Sequence, residues 1–394
     1  MPVLRPDLDQ LHDAVQLATG AYSPLDGFMD RAFVESVLAT SRLPTSLPWP
    51  IPIVLTPAGR PNEATIATLR PGDEVALVDP SDRFIARLTV RELFPFDRTA
   101  VARDTFGTTD PAHPNVAQLA RAGPVAIAGR VDLLRPPAVP FPELELTPIR
   151  ARELFRRRGW TTVAGFQTRN LPHAGHEQLH RLTLERGDVD GLFLHPIVGP
   201  RQAGDYRPDT VVAGYQELTR RYYPPSRFAL ATLTVGMRYA GPRAALFFAI
   251  MRKNFGCTHY IVGRDQAGVG GFYDPYACHR IFDEFPIDIV ALRYQELFYC
   301  TACRAMASDR TCAHPAHQRT PVSQTRIRKA LADGEPVPPE IIRPEILAIA
   351  RRAFGRAAPS VDPPPAPTPP TDPAPATVRG SAWALRGGSG LGPG

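Results

Sequence analysis

Residues 165–181, GFQTRNLPHAGHEQLHR, hold two sets of groups that could do chemistry. His176, Glu177 and His180 spell H-E-x-x-H, which on a helix sets two imidazoles one turn apart for zinc and leaves a glutamate as base. Gln167, Arg169, Asn170, His173 and His176 instead combine a planar cationic fork, two neutral amides and two imidazoles, the groups that bind phosphate or another oxyanion. No G-x-x-H follows His180 at metzincin spacing, and a five-residue pattern arises easily by chance. The oxyanion set uses more of the segment, so an anion-handling turn is the expectation and a zinc protease the lesser alternative.

Two further runs carry candidate groups. VGRDQAGVGG, residues 262–271, puts Arg264 and Asp265 among glycines 263, 268, 270 and 271, which allow a ligand close to the backbone. FYCTACRAMASDRTCAHPAH, residues 298–317, has Cys300 and Cys303 as C-x2-C, Cys312 nine residues on, and then His314 or His317. Three cysteines and one histidine make a common closed tetrahedral zinc set, which leaves no open position and is therefore structural.

The elements that must position these groups follow from the rhythm of the chain. Residues 1–146 are rich in short strand-like runs such as WPIPIVL, DEVALVD and FIARLTV, broken by proline and glycine, and predict a mostly β domain. PPAVPFPELEL, 136–146, is too proline-rich for regular structure and marks a junction. Thr147 then caps a predicted helix with Pro148 at its first position, ending near Gly159. TTVAGF, GLFLHPIV, FALATLTV and THYIVG read as strands alternating with the helices HEQLHRLTLER and AGPRAALFFAIMRKNFG, which predicts βαβ units and a nucleotide-binding-type parallel sheet over 147–320. In such a sheet the carboxyl ends of strands meet helix N-termini, whose free N–H groups suit phosphate. Residues 321–354 predict a small helical subdomain, and 355–394, with nine prolines between Pro359 and Pro375 and the ending GGSGLGPG, a disordered tail.

Several runs together resemble the ATP sulfurylase (sulfate adenylyltransferase) family: QTRNLPHAGHE, MRYAGPRAA, GRDQAG, AYSPLDGFM, WPIPIVL, FGTTDPAHPNV and VSQTRIRKALADGEPVP. The resemblance implies an α/β chain with a PUA-like β-rich N-terminal domain, a Rossmann-like nucleotidyltransferase domain and a small helical C-terminal subdomain. It implies the reaction of MgATP with sulfate to adenosine 5′-phosphosulfate and pyrophosphate, or its reverse, with Mg2+ arriving on ATP. By matching position, Gln167, Arg169 and the backbone of Ala267 would hold sulfate. Thr168, Arg169, Asn170, His173 and His176 would do the catalytic work at the phosphates. Gln167, Thr168, Arg169, Asn170, Gly263, Arg264, Asp265 and Gln266 would line the nucleotide. Cys300, Cys303, Cys312 and His314 would hold a structural Zn2+, with His317 in reserve. The family's proline after the asparagine lies at Pro172, its Arg-Ala between the histidines is Ala174-Gly175, its histidine in GRDHAG is Gln266, and its glutamate in GPREA is Ala244. A degenerate, non-catalytic nucleotide or phosphosulfate binder that regulates a partner is the alternative these departures raise.

Composition narrows the setting. Hydrophobic residues make up 43% of 394, no run reaches the 18 apolar residues of a membrane span, and the N-terminus MPVLRPDLDQLHDAV lacks the apolar stretch of a signal peptide. Only Lys253 and Lys329 are lysines among 45 basic residues, and no basic run with interleaved aromatics accompanies the net charge of +6, so nucleic acid is not an expected partner. Five cysteines are too few for a disulfide scaffold. The expectation is a cytoplasmic enzyme, and the family resemblance implies a homo-oligomer. No G-x-x-x-x-G-K-[ST] run is present, so no P-loop kinase is expected within the chain.

Overall fold

The computed structural model describes residues 1–200 and 205–355; the tail expected over 355–394 lies, apart from Gly355, outside the described residues. The first part of the chain runs β1 (Val3–Leu4), α1 (Leu8–Ala18), β2 (Gly27–Phe28), α2 (Arg31–Thr40), α3 (Arg60–Ile66), β3 (Glu74–Val78), β4 (Phe84–Pro95), α4 (Arg98–Phe106), α5 (Pro114–Leu119) and β5 (Val125–Leu133). Its sheet has the order β1-β3-β4-β5-β2, parallel at β1–β3 and antiparallel elsewhere. WPIPIVL, expected as a strand, makes one isolated bridge, Leu55 to Ile127. Pro50 and Pro52 have no N–H to give a ladder. The run is extended and buried all the same: the Trp49 ring packs edge-on to Tyr22 and to Phe247 of the second half, at 6.2 and 5.8 Å.

The second part runs α6 (Pro148–Arg157), β6 (Val163–Thr168), α7 (Ala174–Leu184), β7 (Gly191–Pro196), α8 (Pro208–Tyr222), β8 (Phe228–Leu230), α9 (Pro242–Phe255), β9 (His259–Val262), α10 (Ala277–Glu284) and β10 (Val290–Arg293). Thr147 caps α6 by accepting from the Arg150 N–H. The five strands are all parallel in the order β10-β9-β6-β7-β8. β7 and β9 are buried along their whole length, as strands covered on both faces by helices must be. From β6 the chain winds outward to β7 and β8, then returns to lay β9 and β10 on the other side. The order therefore reverses between β6 and β9, where an open α/β sheet leaves a crevice at its carboxyl edge.

FALATLTV was expected as one strand, but the ladder covers only Phe228–Leu230. Beyond it the backbone makes only isolated bridges, Leu233 to Ile197 and Thr232 to Glu145, and the Thr232 and Thr234 hydroxyls and the Thr234 N–H donate to the Glu145 carboxylate. A third, antiparallel sheet, which the sequence reading did not anticipate, comprises β11 (Phe298–Cys300), β12 (Ala305–Ala307) and β13 (Arg319–Pro321) in the order β12-β11-β13. Helices α11 (Gln324–Ala332) and α12 (Pro344–Gly355) follow. No helix among the described residues is long and apolar enough to cross a membrane.

Candidate active site

Strand β6 delivers its last residues into the crevice, and a turn of five residues separates Thr168 from the start of α7. The Thr168 hydroxyl accepts from the Asn170 N–H at 3.0 Å and donates to the Asn170 carbonyl at 3.3 Å, which closes the turn and directs the chain outward at Arg169. His173 is the N-cap of α7: its Nδ1 accepts from the His176 N–H at 3.3 Å. With Nδ1 used as acceptor, the neutral ring carries its proton on Nε2 and can donate there. The His173 and His176 rings stack with centroids 3.8 Å apart and planes 19° from parallel.

Gln167, Thr168, Arg169, Asn170, His173, His176, Gly263, Arg264, Asp265, Gln266 and Ala267 all line one cavity of about 700 Å³. Every residue the sequence placed at the anion site is thus brought together. The loop after β9 forms the facing wall, with Asp265 and Ala267 in the left-handed region at φ 53° and 59°. At Gly268 a Cβ would lie 1.8 Å from the Asp265 carboxylate, so a larger residue there would have to push the Asp265 side chain aside. Tyr260 ties the walls together, donating to Gln167 Oε1 at 3.2 Å while Gln266 Nε2 donates to the same hydroxyl. Gln266 Oε1 is buried with no protein partner. Ala244, another departure, is fully buried in α9 and away from the cavity.

Four residues of the cavity's charge network were not singled out from the sequence. The Arg169 guanidinium lies over the Tyr239 ring at 4.5 Å, donates to the Tyr239 hydroxyl and meets Asp205 Oδ2 at 3.3 Å. Arg328 Nη1 on α11 is 3.2 Å from Asp205 Oδ1. Arg264 Nη1 is 3.4 Å from Glu296 Oε1. Tyr239 is positioned by the first half of the chain: its N–H donates to Asn115 Oδ1 at 2.7 Å, and its carbonyl lies 2.8 Å from His113 Nε2. The PAHPNV run therefore acts on the site through the backbone beneath Tyr239. Tyr239 and Arg328 fall inside recognised runs, MRYAGPRAA and VSQTRIRKALADGEPVP; Asp205 and Glu296 fall in none.

The protease alternative fails on geometry. His180 is fully buried, with Nδ1 2.7 Å from the Tyr223 hydroxyl. Glu177 is gripped by Arg343, Nε to Oε1 at 3.0 Å and Nη2 to Oε2 at 2.9 Å, so it cannot serve as a base for water. The group suited to an ion among the described residues is Cys300, Cys303, Cys312 and His314, whose ligand atoms lie within 4.8 Å of one another. His314 Nδ1 is 3.5, 3.3 and 3.4 Å from the three sulfurs in chain order, and Cys303 and Cys312 Sγ are 3.8 Å apart. His317 is outside the cluster.

Burial holds the imidazoles uncharged. It lowers His176 to about 4, and lowers His173 well below the ordinary value with help from His176 and His180. In the unfolded chain these rings protonate near 6.5. Between pH 6.5 and about 4 the unfolded state therefore binds more protons, and stability present above 6.5 is lost as pH falls, by up to about 1.4 kcal/mol per pH unit for each ring. Urea midpoints measured from pH 7.5 to 4.5 should decline below 6.5, and less steeply in a His173→Asn, His176→Asn double variant; equal slopes would contradict the burial of these rings.

A family model described as ATP-sulfurylase matches residues 142–353, and one described as a PUA-like domain matches residues 1–136. The sulfate adenylyltransferase of Symbiobacterium thermophilum is 44% identical over 361 residues, 91% of this chain and 90% of that protein. That of Hyperthermus butylicus is 43% identical over 350 residues, 89% of this chain and 88% of that protein. Among solved structures, the hexameric APS kinase from Thiobacillus denitrificans superposes with a TM-score of 0.69 at 27% identity over 89% of this chain. This chain spans 63% of the length of that one.

Proposed function

The chain belongs to the ATP-sulfurylase family, and on that premise we propose how its cavity joins ATP to sulfate. The activity is that of a sulfate adenylyltransferase, a nucleotidyltransferase: a sulfate oxygen attacks the α-phosphorus of ATP, the bond from that phosphorus to the β-phosphate oxygen breaks, and pyrophosphate leaves as adenosine 5′-phosphosulfate forms. The observation that carries this reading is the convergence of Arg169, the stacked histidines and the 263–268 loop on one cavity at the sheet's switch point.

Sulfate is a weak nucleophile that needs no proton removed, so rate comes from alignment and from neutralising charge that builds on the phosphates. Arg169 and Gln167 hold sulfate, with the Ala267 N–H as a third donor. Thr168, Arg169 and Asn170 wrap the α-phosphate at the end of β6. His173 and His176 donate to the phosphate oxygens, and a triphosphate beside them raises their proton affinity from the depressed level that burial imposes. Gly263, Arg264, Asp265 and Gln266 line the nucleotide. Gln266 offers an amide where the resembled family motif has histidine, so it contributes hydrogen bonds but no charge. Mg2+ enters bound to ATP, as the cation's preference for phosphate oxygens and water leads one to expect.

The cysteine cluster fits zinc. Bond lengths of about 2.3 Å to sulfur and 2.0 Å to nitrogen in a tetrahedron require edges of about 3.8 Å between sulfurs and about 3.5 Å from nitrogen to sulfur, and the cluster has 3.8 Å and 3.3–3.5 Å. Zinc there would pin β11 and the 303–314 segment, and through β13 the start of α11, whose Gln324 donates to the Leu171 carbonyl at 2.6 Å beside the active-site turn. Self-association belongs to the same proposal, supported by the hexameric solved relative, as does a reducing cytoplasmic setting, supported by five free cysteines.

Pyrophosphate release from MgATP with sulfate tests the reading. Turnover that depends on sulfate is the expected result; tight binding of adenosine 5′-phosphosulfate without turnover would instead assign the chain to a regulatory role.

A further inference from the structure

Asp205 carries a carboxylate into the cationic wall of the cavity. Its side chain is only 11% exposed, Oδ2 lies 3.3 Å from Arg169 Nη1, and Oδ1 lies 3.2 Å from Arg328 Nη1. The Tyr239 hydroxyl donates to Oδ2 at 3.3 Å. A single acidic group thus spans two guanidinium groups that come from opposite ends of the second half, one on the β6 turn and one on α11. The contacts are loose. Tight charge-assisted bonds run about 2.7–2.9 Å, and one oxygen of Asp205 faces each arginine. Arg264 and Glu296, 3.4 Å apart, form a separate and more exposed one-to-one pair.

We propose that Asp205 is an internal counter-anion, which occupies Arg169 and Arg328 before substrate arrives and is displaced from them by the substrate's oxyanion. The inference rests on the functional reading above and adds to it a residue that sets the cavity's affinity for its anionic ligand. Two guanidinium groups facing one point repel each other unless an anion lies between them, and the carboxylate supplies that anion before substrate does. Adenosine 5′-phosphosulfate brings two negative charges, one on each of its adjoining sulfuryl and phosphoryl groups, against the single charge of the carboxylate, so it competes for both arginines at once. The exchange has a thermodynamic signature: apparent affinity is the intrinsic affinity multiplied by the fraction of molecules in which the arginines are free of Asp205. A brace that merely holds Arg169 in place would have the opposite signature, because its removal would weaken binding.

The test is calorimetric titration of the full chain with adenosine 5′-phosphosulfate at low ionic strength, for wild type, Asp205→Asn and Asp205→Ser, with thermal unfolding of each to establish that it is folded. If Asp205 occupies the arginines in 70–90% of molecules, both variants bind about three- to tenfold more tightly than wild type. Unchanged or weaker binding in a folded variant overturns the inference, and the second substitution covers failure of the first to fold. A wild type that does not bind the probe overturns the functional reading and this inference with it; a wild type that binds, with variants that gain nothing, overturns the inference alone.

Discussion

Arg169→Ala is expected to lower kcat/KM for sulfate-dependent pyrophosphate release by about 10²–10³-fold, the loss seen when one preorganised donor to a transition-state anion is removed. The side chain meets several demands at once. It is the cation just past the end of β6, it lies over the Tyr239 ring at 4.5 Å, and Asp205 holds it at 3.3 Å. Alanine leaves the α-phosphate and the incoming sulfate to repel each other across the gap. The fold should survive, because the guanidinium is a cavity group, 24% exposed, that closes no part of the core. Arg169→Lys should recover little, since an ammonium can neither stack flat on the tyrosine ring nor present a planar fork to an oxyanion. Steady-state rates with MgATP and sulfate, beside a circular dichroism melt, check both parts. Near-wild-type turnover in the alanine variant would remove Arg169 from the mechanism.

Cys312→Ser should cost the chain its zinc and at least roughly 3 kcal/mol of stability, a fraction of the about 10–16 kcal/mol that structural zinc sites supply. The loss would extend beyond the cluster. Arg319 on β13 donates to the His314 carbonyl at 2.7 Å and covers the Phe298 ring at 4.5 Å, so the three-stranded sheet and the metal loop form one small unit. That unit precedes Ser323, Gln324 and Arg328, which line the cavity. Activity should therefore fall together with metal content. His314→Ala should behave like Cys312→Ser, whereas His317→Ala should keep stoichiometric zinc, because His317 contributes no atom to the cluster. Elemental analysis of unchelated protein with parallel thermal melts decides the matter; full zinc in the His314 variant would reassign the fourth ligand.

The parallel sheet was legible because each strand is a short apolar run followed by a helix with its own start signal, such as Thr147-Pro148 before α6. Errors fell where a partner far along the chain decided the outcome. Past Leu230 the chain is shared between Ile197 and the junction at Glu145 by isolated bridges, and two prolines keep the buried WPIPIVL segment off the ladder. The small sheet β11–β13 was invisible because three-residue strands carry no period long enough to read.

The run from Gln167 to His176 was legible as one group because its residues are consecutive around a strand end, and the cysteine set because it is closed within Cys300–His314. What occupies those groups depends on partners far along the chain. Arg343, 166 residues from Glu177, and Tyr223, 43 residues from His180, take up two members of the H-E-x-x-H pattern. Asp205 and Arg328, 123 residues apart, complete the anion wall beside Arg169. Charge pairing acts through space at a few ångströms, and only the packed chain brings residues so distant in sequence to that range.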